Sequence, residues 1–279
     1  MDKILQIPSV AKLIAGCWAD SENALCSSIR EKHPDLDEVF ITRLFHDELR
    51  QTFKKVSDEG KVEEAFLKDL RKAFPIYAYS GFLGKISSGL VASVTLHPTE
   101  IEKRTGGDLG LLLARPNINE SCDYGTKLVV GGYRRGLLCQ AKIRRRDGKW
   151  GEFSENQEKI LANHLDSLAL LLYEYSDVER KRLSPFQWQL CEDSSFSQVQ
   201  EWIKVDRFPL LQDSEQIISS LGENRIGTDN STIIEDVVCP KTRSYMTIDI
   251  SWPGKPRDFE VRVNREIDQK QKQDVYVKV

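Results

Sequence analysis

The sequence predicts a mixed α/β (α+β) fold in which a mixed central sheet is flanked by helices. Three observations carry this. Helical periodicity fills the first quarter, short continuous apolar runs cut by Gly, Asn and Pro fill the middle, and helical spacing returns from about residue 155. With 279 residues, 40% of them hydrophobic and 30% charged, the chain can bury a sizeable core and is neither disordered nor fibrous in composition.

Each element has its own signal. From residue 10 to 31, Val10, Leu13, Ile14, Cys17, Trp18, Leu25 and Ile29 recur at helical spacings, and Pro34 limits the run. A second helix opens at a cap, Asp35 or Asp37, and carries the stripe Val39, Ile41, Leu44, Phe45, Leu49, Phe53 and Val56 before Gly60. A third runs from Lys61 to Phe74 and stops ahead of Pro75. The stretches SSGLVASVTLH, DLGLLLA, TKLVVGG and GLLCQAKI then read as strands covered on both faces. ENQEKILANHLDSLALLLYEY, Glu155 to Tyr175, reads as one long helix over the sheet. Beyond Lys181, SPFQWQLCE, SYMTIDISW and DFEVRVNRE read as strands, and SFSQVQEWIK and SEQIISSL as short helices. The expected organisation is an N-terminal helical segment over 1–34, a core over 35–180, and a mixed C-terminal elaboration over 181–279 packed on that core.

Several chemistries lack the residues they need. The six cysteines form no CxxC pair, and the four histidines (His33, His46, His97, His164) show no HxxxH or HExxH spacing. No apolar run approaches the roughly 20 residues of a membrane helix, and residues 1–22 lack the order of a signal peptide, so a cytoplasmic protein without membrane partners is expected. The net charge is −3, yet Arg134, Arg135, Lys142, Arg144, Arg145, Arg146 and Lys149 crowd one segment against Asp147 alone. Such a strip can focus a polyanion; the plainer alternative is a solvated hairpin tip.

Within that segment Gln140 and Lys142 share a strand face, with Ala141 on the other. If DLGLLLA is the neighbouring strand, Asp108 stands beside them. An acid, a neutral oxygen and a lysine at a strand end are what metal-assisted phosphodiester cleavage needs. Asp108, Gln140 and the Ala141 carbonyl offer oxygen ligands to Mg²⁺ or Mn²⁺. Lys142 offers a cation for the attacking water or for the charge that grows on the phosphate. The alternative is an edge strand whose lysine snorkels to water.

GGD, an apolar strand and LLCQAK together resemble the PD-(D/E)xK nuclease superfamily, in its Mrr-like, restriction-endonuclease-like branch with a QxK motif. The resemblance spans roughly residues 35 to 180. It implies a helix, a three-stranded meander, a helix and further strands. It assigns the metal-binding aspartate to Asp108 and the QxK pair to Gln140 and Lys142. The family often adds an acid on the helix before the sheet: Glu38 is the first choice, Glu48 the second, with Glu100 and Glu102 also open. Also implied are DNA as substrate, a restriction or antiphage role, a helicase or ATPase partner, since the chain has no GxxxxGK[ST] loop, and a homodimer for double-strand cleavage. The basic residues Arg134, Arg135, Arg144, Arg145, Arg146 and Lys149 would hold the DNA. The rival reading is a catalytically inactive binding or scaffolding subunit of the same fold; a phosphatase or nucleotidase ranks last, lacking an aspartyl nucleophile signature. Trp150 reads as a core lid rather than a base-stacking residue, and Tyr173, Tyr175 and Trp188 as packing between the long helix and the sheet. Tyr124, Gly125, Gly131 and Gly132 lie in the connection to the QxK strand, which is expected to hold a short strand KLVV.

Overall fold

The computed structural model describes residues 8–32, 37–73, 89–97, 99–115, 118–121, 127–130, 133–145, 147–175, 183–223, 225–229 and 243–248. Three helices come first: α1 (Pro8–Lys32), α2 (Glu38–Asp58) and α3 (Lys61–Ala73). Asp37 caps α2 by accepting a hydrogen bond from the Phe40 N–H at 2.8 Å. Strand β1 (Gly89–Leu96) is followed by a short helix, α4 (Thr99–Thr105), which the sequence reading did not anticipate. Then come β2 (Leu109–Arg115), a small hairpin of β3 (Ile118–Ser121) and β4 (Lys127–Val130), and the long β5 (Tyr133–Ile143). The expected KLVV strand is therefore present; Tyr124, Gly125, Gly131 and Gly132 lie outside the described residues.

The segment read as one long helix divides in two. Only α5 (Glu155–Leu161) is helical; a single 3₁₀ turn over Leu165–Ser167 leads into β6 (Leu168–Tyr173). The reason is the run LALLLY, buried at every position. A continuous apolar run carries no period, and a site buried on both faces favours a central strand over a one-sided helix. Tyr173 is consequently a sheet residue, its hydroxyl 3.0 Å from Thr42 Oγ1 on α2. The chain continues through β7 (Gln187–Leu190), α6 (Phe196–Val205), α7 (Ser214–Gly222) and β8 (Arg243–Ile248). DFEVRVNRE lies outside the described residues.

Six strands form one mixed sheet in the order β7-β6-β5-β2-β1-β8. β5 and β6 are parallel and every other pair is antiparallel. The crossover through α5 makes that parallel pair possible. One face of the sheet is covered by α1, α2 and α7 over Leu109, Leu111, Cys139, Ala141 and Leu171; the other, with Leu138, Leu170 and Leu172, meets α5 and α6. Residues from 1–34, from 35–180 and from the described part of 181–279 share one hydrophobic cluster. Trp18 of α1, fully buried, stacks on Phe45 of α2 and Trp188 of β7 at 4.6 and 5.3 Å between ring centroids. Among the described residues β7 and β8 form the two edges of the central sheet.

Because Trp18 ties all three sequence regions together, Trp18→Ala should destabilise the whole protein by roughly 3–5 kcal/mol in urea melts. A loss below about 1 kcal/mol would show α1 to be an appendage.

Candidate metal and phosphodiester site

β2 and β5 run together from Arg115↔Tyr133 to Leu109↔Cys139, and there they part. β5 continues for four more residues beside β6 alone. The Ala141 and Ile143 N–H groups face the strand that has left. Asp108 takes the first, its Oδ2 accepting from Ala141 N at 2.7 Å; Glu38 takes the second, its Oε2 accepting from Ile143 N at 3.3 Å. Two carboxylates thus replace a missing strand, as burial of unpaired N–H groups demands. Glu38 is the first residue of α2, so its cap sets where it stands.

The turn before β2 sets Asp108. Gly106 has φ +74°, a left-handed conformation costly for any other residue, and a side chain on Gly107 would lie 2.7 Å from Leu138 Cγ and 3.1 Å from the Cys139 carbonyl. The backbone then locks: Asp108 N donates to Cys139 O at 2.8 Å, and Asp108 O accepts from His97 N at 2.9 Å.

Gln140 and Lys142 point to the face opposite Ala141, both almost wholly buried. The Gln140 amide donates from Nε2 to Asp108 Oδ2 at 2.5 Å and to the Ala141 carbonyl at 3.1 Å, leaving its Oε1 buried without a partner. Lys142 lies on a central strand, which removes the edge-strand alternative. Its Nζ donates to the Glu152 carbonyl at 3.3 Å and stands 4.5 Å from the centre of the Phe153 ring.

Burial and the neighbouring Glu38 push the Asp108 carboxyl up to about 8, against the Ala141 hydrogen bond and Lys142, which favour its charge. Burial also raises Glu38, with Lys142 opposing. The four residues form one electrostatic unit. Glu102 of α4 adds a smaller negative influence on Asp108, whereas Glu48, further along α2, enters neither balance. The side chain of Glu100 lies outside the described residues.

The basic strip does not form one face. Arg135 and Arg145 stand at opposite ends of β5, roughly 30 Å apart at about 3.3 Å per residue. Arg135 donates to Gly227 O at 2.6 Å. Arg144 is committed to ion pairs with Glu174 and, at 2.5 Å, Asp206; Asp206 also accepts from the Trp150 indole at 2.7 Å. Trp150 is therefore a lid, as expected. Arg145 and Lys149 remain exposed on the hairpin after β5, and Arg145 is near enough to influence Glu38. The side chain of Arg134 and the whole of Arg146 lie outside the described residues.

The sequence reading missed His97, whose Nδ1 lies 2.9 Å from Gly107 O, and the Glu152–Phe153 cradle of Lys142. No spacing motif marks either. Burial holds the Cys17 and Cys191 thiols up at about 12, so neither is a ready nucleophile. Among the described residues no three His, Cys, Asp or Glu side chains converge, and no helix is long and apolar enough to cross a membrane. Comparison with protein-family models, with curated proteins and with solved structures finds no match to this chain.

Two predictions follow from this geometry. Gly107→Ala should cost about 1–3 kcal/mol, because the added methyl meets Leu138 and the β5 backbone. A melt within about 0.3 kcal/mol of wild type would contradict the close approach. In EDTA, folded Asp108 keeps its proton up to about 8 while the unfolded chain releases it near 3.8. The folded state therefore binds the extra proton across that window, and the stability so gained is lost as pH rises through it. Asp108→Asn, which cannot titrate, should show a smaller fall in Tm than wild type between about pH 5 and pH 8. Equal falls would contradict the assignment.

Proposed function

We propose that the chain is a metal-dependent nuclease that hydrolyses phosphodiester bonds in DNA, with a restriction-endonuclease-like core. The observation that carries this reading is the convergence of Glu38, Asp108, Gln140, Ala141 and Lys142 where β2 and β5 part. The element order α2, the antiparallel meander β1-β2-β5, α5 and the parallel β6 supports it, since the resemblance implies the same succession.

The residues fit a hard divalent ion. Asp108, Ala141 O and the unpartnered Gln140 Oε1 are oxygen donors, and Asp108 lies in a site where its charge is poorly balanced. In the present arrangement the Gln140 N–H₂ group bridges the other two oxygens; a half-turn of the amide would bring Oε1 there instead, which a cation among the three oxygens reconciles once Asp108 is ionised. Mg²⁺ or Mn²⁺, when bound, supplies a counter-charge for the phosphate and a more acidic water.

The chain's own groups do the rest. Lys142, buried and among the described residues hydrogen-bonded to the Glu152 carbonyl alone, directs its ammonium at the charge that grows on the phosphate oxygens. Glu38, its pKa raised by burial, orients the attacking water and favours loss of its proton. The water oxygen bonds to phosphorus, the ester P–O bond breaks, and the leaving oxygen takes a proton. Arg145 and Lys149 steer the backbone towards this end of β5. The same geometry with Gln140 in place of an acid also suits an inactive binding subunit.

Plasmid DNA incubated with the protein in Mg²⁺, Mn²⁺ or EDTA tests the reading. Cleavage is expected with either metal and not in EDTA. Asp108→Asn and Lys142→Ala should each reduce it at least about 100-fold, and the double variant scarcely further. Full activity in both single variants would overturn the site. Metal-independent binding with no cleavage would favour the inactive subunit. Arg145→Ala should lower the salt slope of DNA binding by about one, whereas Arg144→Ala should act on stability.

A further inference from the structure

The cradle of Lys142 is also the wall of a cleft. Glu152, whose carbonyl accepts from the Lys142 ammonium, and Phe153, whose ring centre lies 4.5 Å from it, both line a hollow of about 600 Å³ between the turn after β5, α5 and α6. Sites for small planar ligands have this size, about 300–1,000 Å³. The proposed cleavage step leaves it unused.

The lining is divided by chemistry. The half-buried Phe153 ring, braced edge-on by Phe196 of α6 at 5.1 Å between centroids, supplies an apolar wall. Glu158 of α5 and Gln200 of α6 also line the cleft, and the Gln200 amide donates from Nε2 to Glu158 Oε1. That bond leaves Glu158 Oε2 and Gln200 Oε1 as acceptors. Lys149 and Lys204 line it too, both exposed, and among the described residues neither has an ion-pair partner.

These groups sort the parts of a nucleotide. The Glu158 carboxylate repels a phosphate and accepts from an amine, so the base is what it admits. The phosphate stays with Lys142, Lys149 and Lys204. A phosphate held at the Lys142 ammonium has its own nucleoside beside Phe153.

We propose that the cleft takes one unpaired base of the strand being cut, cytosine or adenine, whose exocyclic amine stands where thymine and guanine carry a carbonyl. The base stacks on Phe153 and its amine donates to Glu158 and Gln200. A base lodged there is not paired, so the substrate is single-stranded or has that nucleotide turned out of the duplex. The assignment rests on the nuclease reading for the strand to which the base belongs.

Fluorescence anisotropy of labelled single-stranded oligonucleotides with the full chain in EDTA tests it apart from cleavage. Oligo(dC) and oligo(dA) should bind at least about tenfold more tightly than oligo(dT) or an abasic strand of equal length. Glu158→Ala and Gln200→Ala should each bring them to the oligo(dT) level, with oligo(dT) binding and the circular dichroism melt unchanged. Lys204→Ala should weaken every strand alike and lower the salt slope. Binding without base preference, or a preference that both cleft variants keep, would overturn the proposal and leave the nuclease reading to the plasmid assay. Absence of binding to any strand would overturn it as well, whatever the plasmid assay shows. Competition by dCMP at concentrations equal to the strand would assign the cleft to a free nucleotide and overturn the strand assignment.

Discussion

The site depends on two strands that stop pairing. Had β2 continued beyond Leu109, the Ala141 and Ile143 N–H groups would have met backbone carbonyls and no acid would stand there. Left buried and unpaired, each would cost about 1–3 kcal/mol. Asp108 and Glu38 remove that cost, and in doing so they acquire fixed orientations from the sheet itself. The rest of the local structure serves the parting. Gly106 and Gly107 let the chain turn against Leu138, His97 holds the carbonyls of Gly107 and Asp108, and the Asp37 cap starts α2 where Glu38 reaches the opened edge.

The arrangement is stable as backbone geometry and strained as electrostatics. Two carboxylates and one ammonium share a region where burial disfavours charge, and the carboxylates answer by holding their protons to higher pH. Carboxylates perturbed in this way occur in catalytic sites and in structural ion-pair networks alike. Core residues on the same strand face, Leu138 above and Leu172 of β6 alongside, keep water away and strengthen each interaction.

Much of this was legible in the sequence, for physical reasons. A lysine inside an apolar strand must meet a reason for its burial, and Gln140 and Lys142 share a face by the two-residue period of a strand. The aspartate after two glycines marked the turn. The stripe and cap of α2 marked the helix and its start, and the family resemblance put Glu38 ahead of Glu48; Glu38 is the one whose carboxylate reaches β5. What failed was information that a single sequence does not carry. LALLLY has no period, so the strand β6 was hidden inside an apparent helix. The basic strip was contiguous in sequence but lies along a strand, so its two ends separate and Arg144 turns to Glu174 and Asp206. β7 and β8 joined the central sheet through long-range pairing, which local patterns do not encode.

A divalent ion bound at the site should turn the Gln140 amide, bringing Oε1 in with the Asp108 carboxylate and the Ala141 carbonyl. Anomalous diffraction from crystals of the wild-type protein soaked in Mn²⁺ tests this most directly. The account predicts a peak in contact with the Asp108 carboxylate, with the Gln140 amide turned so that Oε1 faces it, and no such peak in Asp108→Asn crystals. Wild-type crystals with no peak there, and with the Gln140 Nε2 still on Asp108, would contradict it.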